Sequence, residues 1–469
     1  MRFVVFGTGL YYQKRKSELK QLCENGEIVL FFDNKESEEE IFEEKRICKP
    51  CVLKRDTYDK ILLMSRSVVE MREQLISLGY CNSDIWTWKQ FICEMSHGNY
   101  EFFCGTTRKA VYDKRILIVT TDMGYNGGSI AICCAAKCLS QSNEVIIAAP
   151  KADRSFIKEM NQDGINILLC KSLPYLGKEE MYLVESFDVV IVNVFQMLPV
   201  AFQICKYKPV LWWIHESGDI YQSVLDEYRE FIQEDLFDKM SIFAVSAIPQ
   251  NIFNSYFQSR IQHTLAYGIP DRYESARLEK KSNKTIFAVI GVVAYGKAQD
   301  ILVQAIEILK KKNQETKMEC WLIGGIPDND FSRNIIKASQ KDNIICIKGK
   351  MTRKQIEKAY QNIDVVVCPS REDSLPIAVT EGMMYGKVCI ASKSTGTADF
   401  IEEKVNGLIC ETESAESLAD AMSWVLEHQE ECISIGKEAR KTYEAFFNMD
   451  RFRNRLEDAL NDTINNYEG

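Results

Sequence analysis

The sequence predicts an α/β fold built on parallel sheets, with two large lobes and a smaller N-terminal domain of the same kind. Three observations carry that expectation. Apolar runs of four to eight residues alternate with longer segments of helical period along almost the whole chain, the pattern of strands covered by helices on both faces. The 469 residues suffice for about three domains at ~150 residues each. Polar or charged stretches at residues 105–109 and 277–284 interrupt the rhythm and divide it into blocks. With 46% hydrophobic and 27% charged residues, the composition is ordinary for a globular protein and excludes wholesale disorder.

In the first block, residues 1–105, a strand at 2–6 runs into Gly7-Thr8-Gly9. Residues 13–25 read as helix, 28–32 as a second strand ending at Asp33, 60–64 as a third strand and 67–78 as helix. The acidic run 36–44 reads as a solvated face. The second block, residues 113–275, opens on Arg115-Ile116-Leu117-Ile118-Val119, with further strands at 145–149, 165–169, 189–194, 210–214 and 242–245. The third, residues 285–445, opens on Ile286-Phe287-Ala288-Val289-Ile290-Gly291 and continues with strands at 320–323, 344–347, 365–367 and 388–391. From Ala415 onward the period is helical almost throughout. The second and third blocks share one βα rhythm. They predict two Rossmann-like lobes facing each other, with a ligand at the carboxyl ends of their strands.

Charge and cysteine usage narrow the class. There are 58 Lys+Arg against 67 Asp+Glu, a net charge of -9, so no general footprint for nucleic acid exists. No apolar run reaches the ~20 residues that span a bilayer. At the N-terminus the charged residues follow the apolar run, the wrong order for a secretory leader. The 17 cysteines are odd in number and sit in apolar segments, as expected of reduced, buried thiols in a cytoplasmic protein. Cys48-Lys49-Pro50-Cys51 has no second pair at zinc spacing. Lys14-Arg15-Lys16 and Lys310-Lys311-Lys312 are short and read as solvated faces, the alternative being peripheral contact with anionic lipid at the inner face of a membrane.

The most informative stretch runs from Cys368-Pro369-Ser370-Arg371-Glu372-Asp373 through Ser374-Leu375-Pro376 to Glu381-Gly382-Met383. It follows a buried strand and enters a helix. A carboxylate can accept bonds from two adjacent sugar hydroxyls, and free amides at a helix start can hold phosphate. The same acids also fit a capping role on the first helical turns. In the second block, Asp122-Met123-Gly124-Tyr125-Asn126-Gly127-Gly128-Ser129 links a strand to a helix, and adjacent glycines allow close approach to a ligand or close packing alone. Trp212-Trp213-Ile214-His215-Glu216 ends a strand that points at the predicted cleft. Gly7-Thr8-Gly9 is a partial dinucleotide fingerprint with Tyr12 in place of the third glycine, and Asp33 could hold a ribose; a scaffold or docking domain fits these residues better. Asp328-Asn329-Asp330 mimics a metal-binding Asp-x-Asp, although Asp330 is also a natural N-cap.

Taken together, Pro-Ser, an acid, seven residues and Glu-Gly-Met, followed by Tyr385-Gly386-Lys387-Val388, resemble the donor-binding signature of the family 4 glycosyltransferases. Ile290-Gly291 through Lys297 is similar to that family's glycine turn and phosphate-binding lysine. Trp321-Leu322-Ile323-Gly324-Gly325, Ile347-Lys348-Gly349-Lys350 and Asn406-Gly407-Leu408 resemble its later strand ends and loops. The resemblance covers 285–430 well and 113–275 loosely. It implies a GT-B fold, with a C-terminal helix at 447–465 packing back on the acceptor lobe, plus the small N-terminal Rossmann-like domain.

By that resemblance the candidate catalytic residues are His215, Lys297 and Asp373, with Glu372 as an alternative to Asp373. The donor-binding candidates are Gly127, Gly128, Gly291, Arg371, the amides of Ser374 and Leu375, and Glu381 on a nucleotide ribose. Two positions depart from the family pattern. Val292 stands where an arginine is common, with Arg371 the candidate to replace it, and Asp373 stands where a glutamate is common. The implied activity is retaining transfer of a hexose from a nucleoside-diphosphate sugar to an acceptor hydroxyl, without a bound metal or other cofactor. The implied acceptor is a surface glycan or a lipid-linked saccharide. The alternatives are a catalytically weak nucleotide-sugar-binding partner of another transferase, and a nucleotide-sugar epimerase of similar two-lobed fold.

Overall fold

The computed structural model describes residues 1–468 apart from 24–25, 36–39, 107–110, 125–126, 259, 274–283, 313–317 and 342. The polar stretch from 107, the charged stretch 277–283, the start of the acidic run and Tyr125-Asn126 therefore lie outside the described residues, in whole or part. Among the described residues three sheets form. The first holds β1 (Arg2–Phe6), β2 (Glu27–Phe32), β3 (Glu40–Phe42), β4 (Lys45–Cys48), β5 (Lys60–Leu63) and β6 (Ile85–Thr87), in the order β3-β4-β2-β1-β5-β6. The second holds β7 (Tyr100–Phe103), β8 (Arg115–Val119), β9 (Glu144–Ala149), β10 (Asn166–Cys170), β11 (Val189–Asn193), β12 (Val210–Ile214), β13 (Met240–Ala244) and β14 (His263–Thr264), in the order β14-β13-β12-β11-β8-β9-β10-β7. The third holds β15 (Thr285–Ile290), β16 (Met318–Ile323), β17 (Ile345–Gly349), β18 (Val365–Cys368), β19 (Val388–Ser392) and β20 (Leu408–Cys410), in the order β17-β16-β15-β18-β19-β20.

Pairing is parallel except for β3 with β4 and β7 with β10. The central strands are buried along their whole length, VVIVN in β11 and VLWWI in β12 among them. Strands covered on both faces have no solvent side on which to place polar residues, so their apolar runs are continuous. In each sheet the strand order reverses once: between β1 and β5, between β8 and β11, and between β15 and β18. Loops leaving opposite faces of the sheet part at such a switch point and leave a crevice.

Six strands, β3, β4, β6, β7, β14 and β20, depart from the sequence expectation, which marks none of them. Glu40–Phe42, inside the acidic run, is an edge strand turned back on β4 through Glu43 and Glu44, both at positive φ. β6 is a three-residue strand too short for periodicity to mark. Tyr100–Phe103 falls before residue 105 but adds to the edge of the second sheet. At the other end, Ala415–Glu427, Gln429–Thr442 and Met449–Glu468 are helices. The last returns to the middle lobe and packs on the helix Gly127–Leu139 and on β12, with Phe452 stacked on Trp213 at a centroid distance of 5.8 Å.

Side-chain hydroxyls of the middle lobe bind backbone carbonyls of the C-terminal lobe. Ser246 Oγ donates to the Ser374 carbonyl, and Tyr267 donates its hydroxyl to the Leu375 carbonyl at 2.6 Å. Gly396 lies against the same place: a Cβ there would sit 1.8 Å from the Ser374 oxygen, so no other residue fits without moving the loop. Arg440 binds Asp271 in two places and rests over the rings of Tyr273 and Tyr443.

Candidate functional site

The switch points of the two large sheets open on one cavity of about 610 Å³. The middle lobe contributes Gly127 and Gly128, at the start of their helix, and His215, one residue beyond β12. The C-terminal lobe contributes Lys297 and the run from Arg371 to Leu375, which leaves β18. Of the residues singled out from the sequence, Gly291 and Glu381 do not line this cavity. Gly291 instead abuts Gly324 at the end of β16, where a Cβ on Gly324 would lie 1.9 Å from the Gly291 oxygen.

Lys297 closes a short turn of residues 295–297, after which Ala298 takes a left-handed φ of 53° and redirects the chain into the helix Gln299–Lys311. Its ammonium pairs with the Asp373 carboxylate. Burial pulls the lysine pKa down, the Asp373 charge and hydrogen bond together with Cys368 outweigh it, and the net direction is up. Lys297 therefore stays cationic at the cavity wall. Glu372, next to Asp373, reaches the other lobe and accepts the Gly218 amide at 2.7 Å. The two acids that the sequence leaves as alternatives thus do different things: Asp373 holds the lysine and Glu372 holds the facing loop.

The loop around Asp373 also presents donors. Among the described residues the amides of Ser374 and Leu375 have no acceptor, and the helix Ile377–Met384 that follows has Pro376 at its N-cap with no side-chain cap. Such amides suit anionic oxygen. Arg371 lines the cavity, but its guanidinium is taken up by Asp300 at 2.8 and 3.0 Å, by Glu413 at 2.7 Å and by the Tyr295 carbonyl at 2.6 Å, and it lies over the Tyr295 ring. It secures the loop to the turn carrying Lys297 and has little capacity left for a phosphate. Val292 faces the cavity as an apolar side chain, 43% exposed.

Across the gap the chemistry is different. The His215 Nε2 is buried with no hydrogen-bond partner, and desolvation lowers its pKa from 6.5 to about 3. A neutral imidazole with a free ring nitrogen at a cavity wall can exchange a hydrogen bond with a ligand hydroxyl. Its neighbour Glu216 turns inward, accepting the amides of Phe195 at 2.9 Å and His215 at 3.0 Å. Burial raises the Glu216 pKa to about 7, those amides opposing it. Beside this pair Val194 adopts φ 77°, a strained conformation for a β-branched residue.

Glu381 lies on the helix Ile377–Met384 with 3% exposure, its carboxylate bound to Arg353. Arg353 is pulled down by burial and raised more by that carboxylate, for a net rise. No local pattern marks Arg353, which is 28 residues from Glu381. Glu216 and Asp300 were equally silent in sequence. Elsewhere, Asp33 is filled by the Thr8 amide and hydroxyl at 3.1 and 2.7 Å and by the Lys35 amide at 3.0 Å. Asp328 and Asp330 both bind Arg333, and Asn329 is the residue that caps the helix, accepting the Ser332 amide at 2.9 Å. Among the described residues no group of three or more His, Cys, Asp or Glu is placed to hold a metal ion. Cys48 and Cys51 are free thiols, the first buried and the second exposed. No helix among the described residues is long and apolar enough to cross a membrane.

Two doubly wound lobes facing one cleft define the GT-B fold. HepE of Anabaena, solved in complex with UDP-glucose, has the same fold: it superposes with a TM-score of 0.61 at 15% identity, over 74% of this chain and 100% of that one. Residues 271–442 match the family described as Glycosyl transferases group 1, and residues 1–86 match the family described as C2185-like, N-terminal. D-inositol 3-phosphate glycosyltransferase of Corynebacterium aurimucosum is 22% identical over 33% of this chain and 38% of its own length. N,N'-diacetylbacillosaminyl-diphospho-undecaprenol alpha-1,3-N-acetylgalactosaminyltransferase of Campylobacter jejuni is 30% identical over 19% of this chain and 23% of its own. The chain thus spans less than half the length of these curated relatives.

Proposed function

We propose that this chain is a nucleotide-sugar-dependent glycosyltransferase that moves a hexose to an acceptor hydroxyl with retention of anomeric configuration. The observation that carries the reading is the Lys297–Asp373 pair set in the same cavity as the unpartnered Nε2 of His215. The donor diphosphate lies against Lys297 and the amides of Ser374 and Leu375. The bond from the anomeric carbon to the phosphate oxygen breaks, and a bond to the acceptor oxygen forms on the same face. The acceptor's proton passes to the leaving phosphate. Lys297 stabilises the charge that grows on that phosphate, and His215 orients a sugar hydroxyl. No side-chain nucleophile and no resident metal enters this scheme. The acceptor is a surface glycan or its lipid-linked precursor, which places the protein at the cytoplasmic face of a membrane. Supporting this reading are the group 1 match over the C-terminal lobe and the glycan-directed names of relatives that the chain matches in part.

The test is a panel of nucleoside-diphosphate hexoses and saccharide acceptors, with the anomeric configuration of the product read by NMR. Transfer with retention supports the reading. One observation favours a second reading, that of a weakly active donor-binding partner subunit: Val292 supplies no charge and Arg371 is already neutralised. Saturable donor binding with no turnover on any acceptor would select that reading.

A further inference from the structure

A second cavity, of about 430 Å³, lies away from the cleft, between the N-terminal block and the middle lobe. One wall comes from Leu22, Ser96 and Asn99, the other from β7 and the loops leaving β9 and β10. Three cations line it: Lys151, Arg154 and Lys171. Among the described residues none of the three has a carboxylate or other side-chain partner. Glu101 is the one acid among the lining residues, so the cavity carries an excess of positive charge in a chain whose net charge is -9.

The register brings two of these cations to one place. β9 and β10 run parallel with Ala149 opposite Leu169. Lys151 and Lys171 each follow two residues later, exposed in the loops just past the strand ends, so the two side chains leave neighbouring loops at equivalent positions. Like charges on neighbouring strands repel. An anion between them would remove that repulsion and complete the local charge balance.

The cavity is also tied to the cleft. The Met123 amide donates to the Lys151 carbonyl at 3.1 Å, and the Asp153 amide donates to the Met123 carbonyl at 2.8 Å. The loop bearing Lys151 is thereby stitched to the loop that leads to Gly127 and Gly128. Both openings lie on the carboxyl edge of one sheet, with Tyr100, 39% exposed, at the margin of the second.

We propose that this second cavity binds a phosphate or diphosphate group, and that on the transferase reading above the group belongs to the acceptor. The acceptor hydroxyl then sits in the main cleft while its phosphate is held by Lys151, Arg154 and Lys171. The N-terminal block completes the anion site by supplying its opposite wall. The acceptor role rests on the transferase reading; the anion site does not.

The test uses the full chain, saturated with UDP so that the Lys297 cleft is filled, and titrates inorganic pyrophosphate calorimetrically at low and at physiological salt. Wild type is expected to bind one pyrophosphate. The variant K151A/R154A/K171A should lose binding at least tenfold while UDP affinity is unchanged, and K151R/K171R should retain it. Equal binding by wild type and the alanine variant would overturn the proposal. So would binding only to vesicles of phosphatidylglycerol and phosphatidylcholine with none to pyrophosphate, an outcome that assigns the cations to a membrane surface instead. If pyrophosphate binds as expected but no nucleotide sugar is ever turned over, the site stands and the transferase reading falls.

Discussion

The two walls of the cleft handle charge in opposite ways. On the C-terminal lobe the cations are matched: Lys297 with Asp373, Arg371 with Asp300 and Glu413, Arg353 with Glu381, while Glu372 accepts a backbone amide of the facing loop. On the middle lobe, His215 and Glu216 stand at a strand end without a counter-ion, and burial drives both toward their neutral forms. The first wall keeps its cations charged by compensating them; the second holds His215 and Glu216 dry, with Asp219 the one exposed acid among its lining residues. On the proposed transferase reading the first wall meets the phosphate and the second the sugar hydroxyls.

Removing a charge from the compensated wall should give the largest effect. Lys297→Ala is expected to reduce kcat/KM by about 10²–10³-fold with a native circular-dichroism spectrum; transfer at the wild-type rate would break the contrast between the walls at its strongest point. Glu381→Ala leaves the half-buried Arg353 with Glu357 alone, at 3.3 Å, and denaturant unfolding should show a loss of about 1–3 kcal/mol. A rise in donor KM in that variant, beyond what the lost stability explains, would support a ribose contact for Glu381.

The dry wall is tested by pH. With its pKa at about 3, His215 stays neutral in the native state while the unfolded chain protonates near 6.5. Wild type therefore loses stability as pH falls from 6.5 toward 3, and His215→Asn should flatten that part of the profile. Glu216 has the opposite sign. Its pKa of about 7 against an ordinary 4.5 means the native state holds a proton the unfolded chain has released. Stability then falls as pH rises from 4.5 to 7, and Glu216→Gln should remove the fall. Melting temperatures of both variants between pH 4 and 8 separate the two slopes, which partly cancel in the wild type where the windows overlap. The smallest expected effect is that of a chelator such as EDTA, which should leave transfer unchanged; a loss that added divalent cation restores would bring metal chemistry into the scheme.

The doubly wound lobes were legible because strands buried on both faces read as continuous apolar runs. β11 and β12 could hardly be anything else. The cleft residues were legible where a contiguous loop lines the cavity: Lys297 and the run 371–375 all face it. Pairing was not legible. That Arg371 would be consumed by Asp300, or Glu381 by Arg353, depends on contacts between residues 71 and 28 positions apart, and no local spacing encodes those. The same applies to Glu40–Phe42, whose acidic, exposed character hid a strand that survives only as the edge partner of β4.

The final helix gives the lobes a second connection. Met449–Glu468 returns from the C-terminal lobe to lie on the middle one, and its Phe452 stacks on Trp213, whose ring in turn meets that of His215 at 4.5 Å. A chain cut after Phe447 would keep every residue that lines the cleft and still lose the Phe452 ring that backs Trp213, the ring against which this histidine rests. Tolerance to shortening at that end is therefore a measure of how firmly the imidazole must be braced.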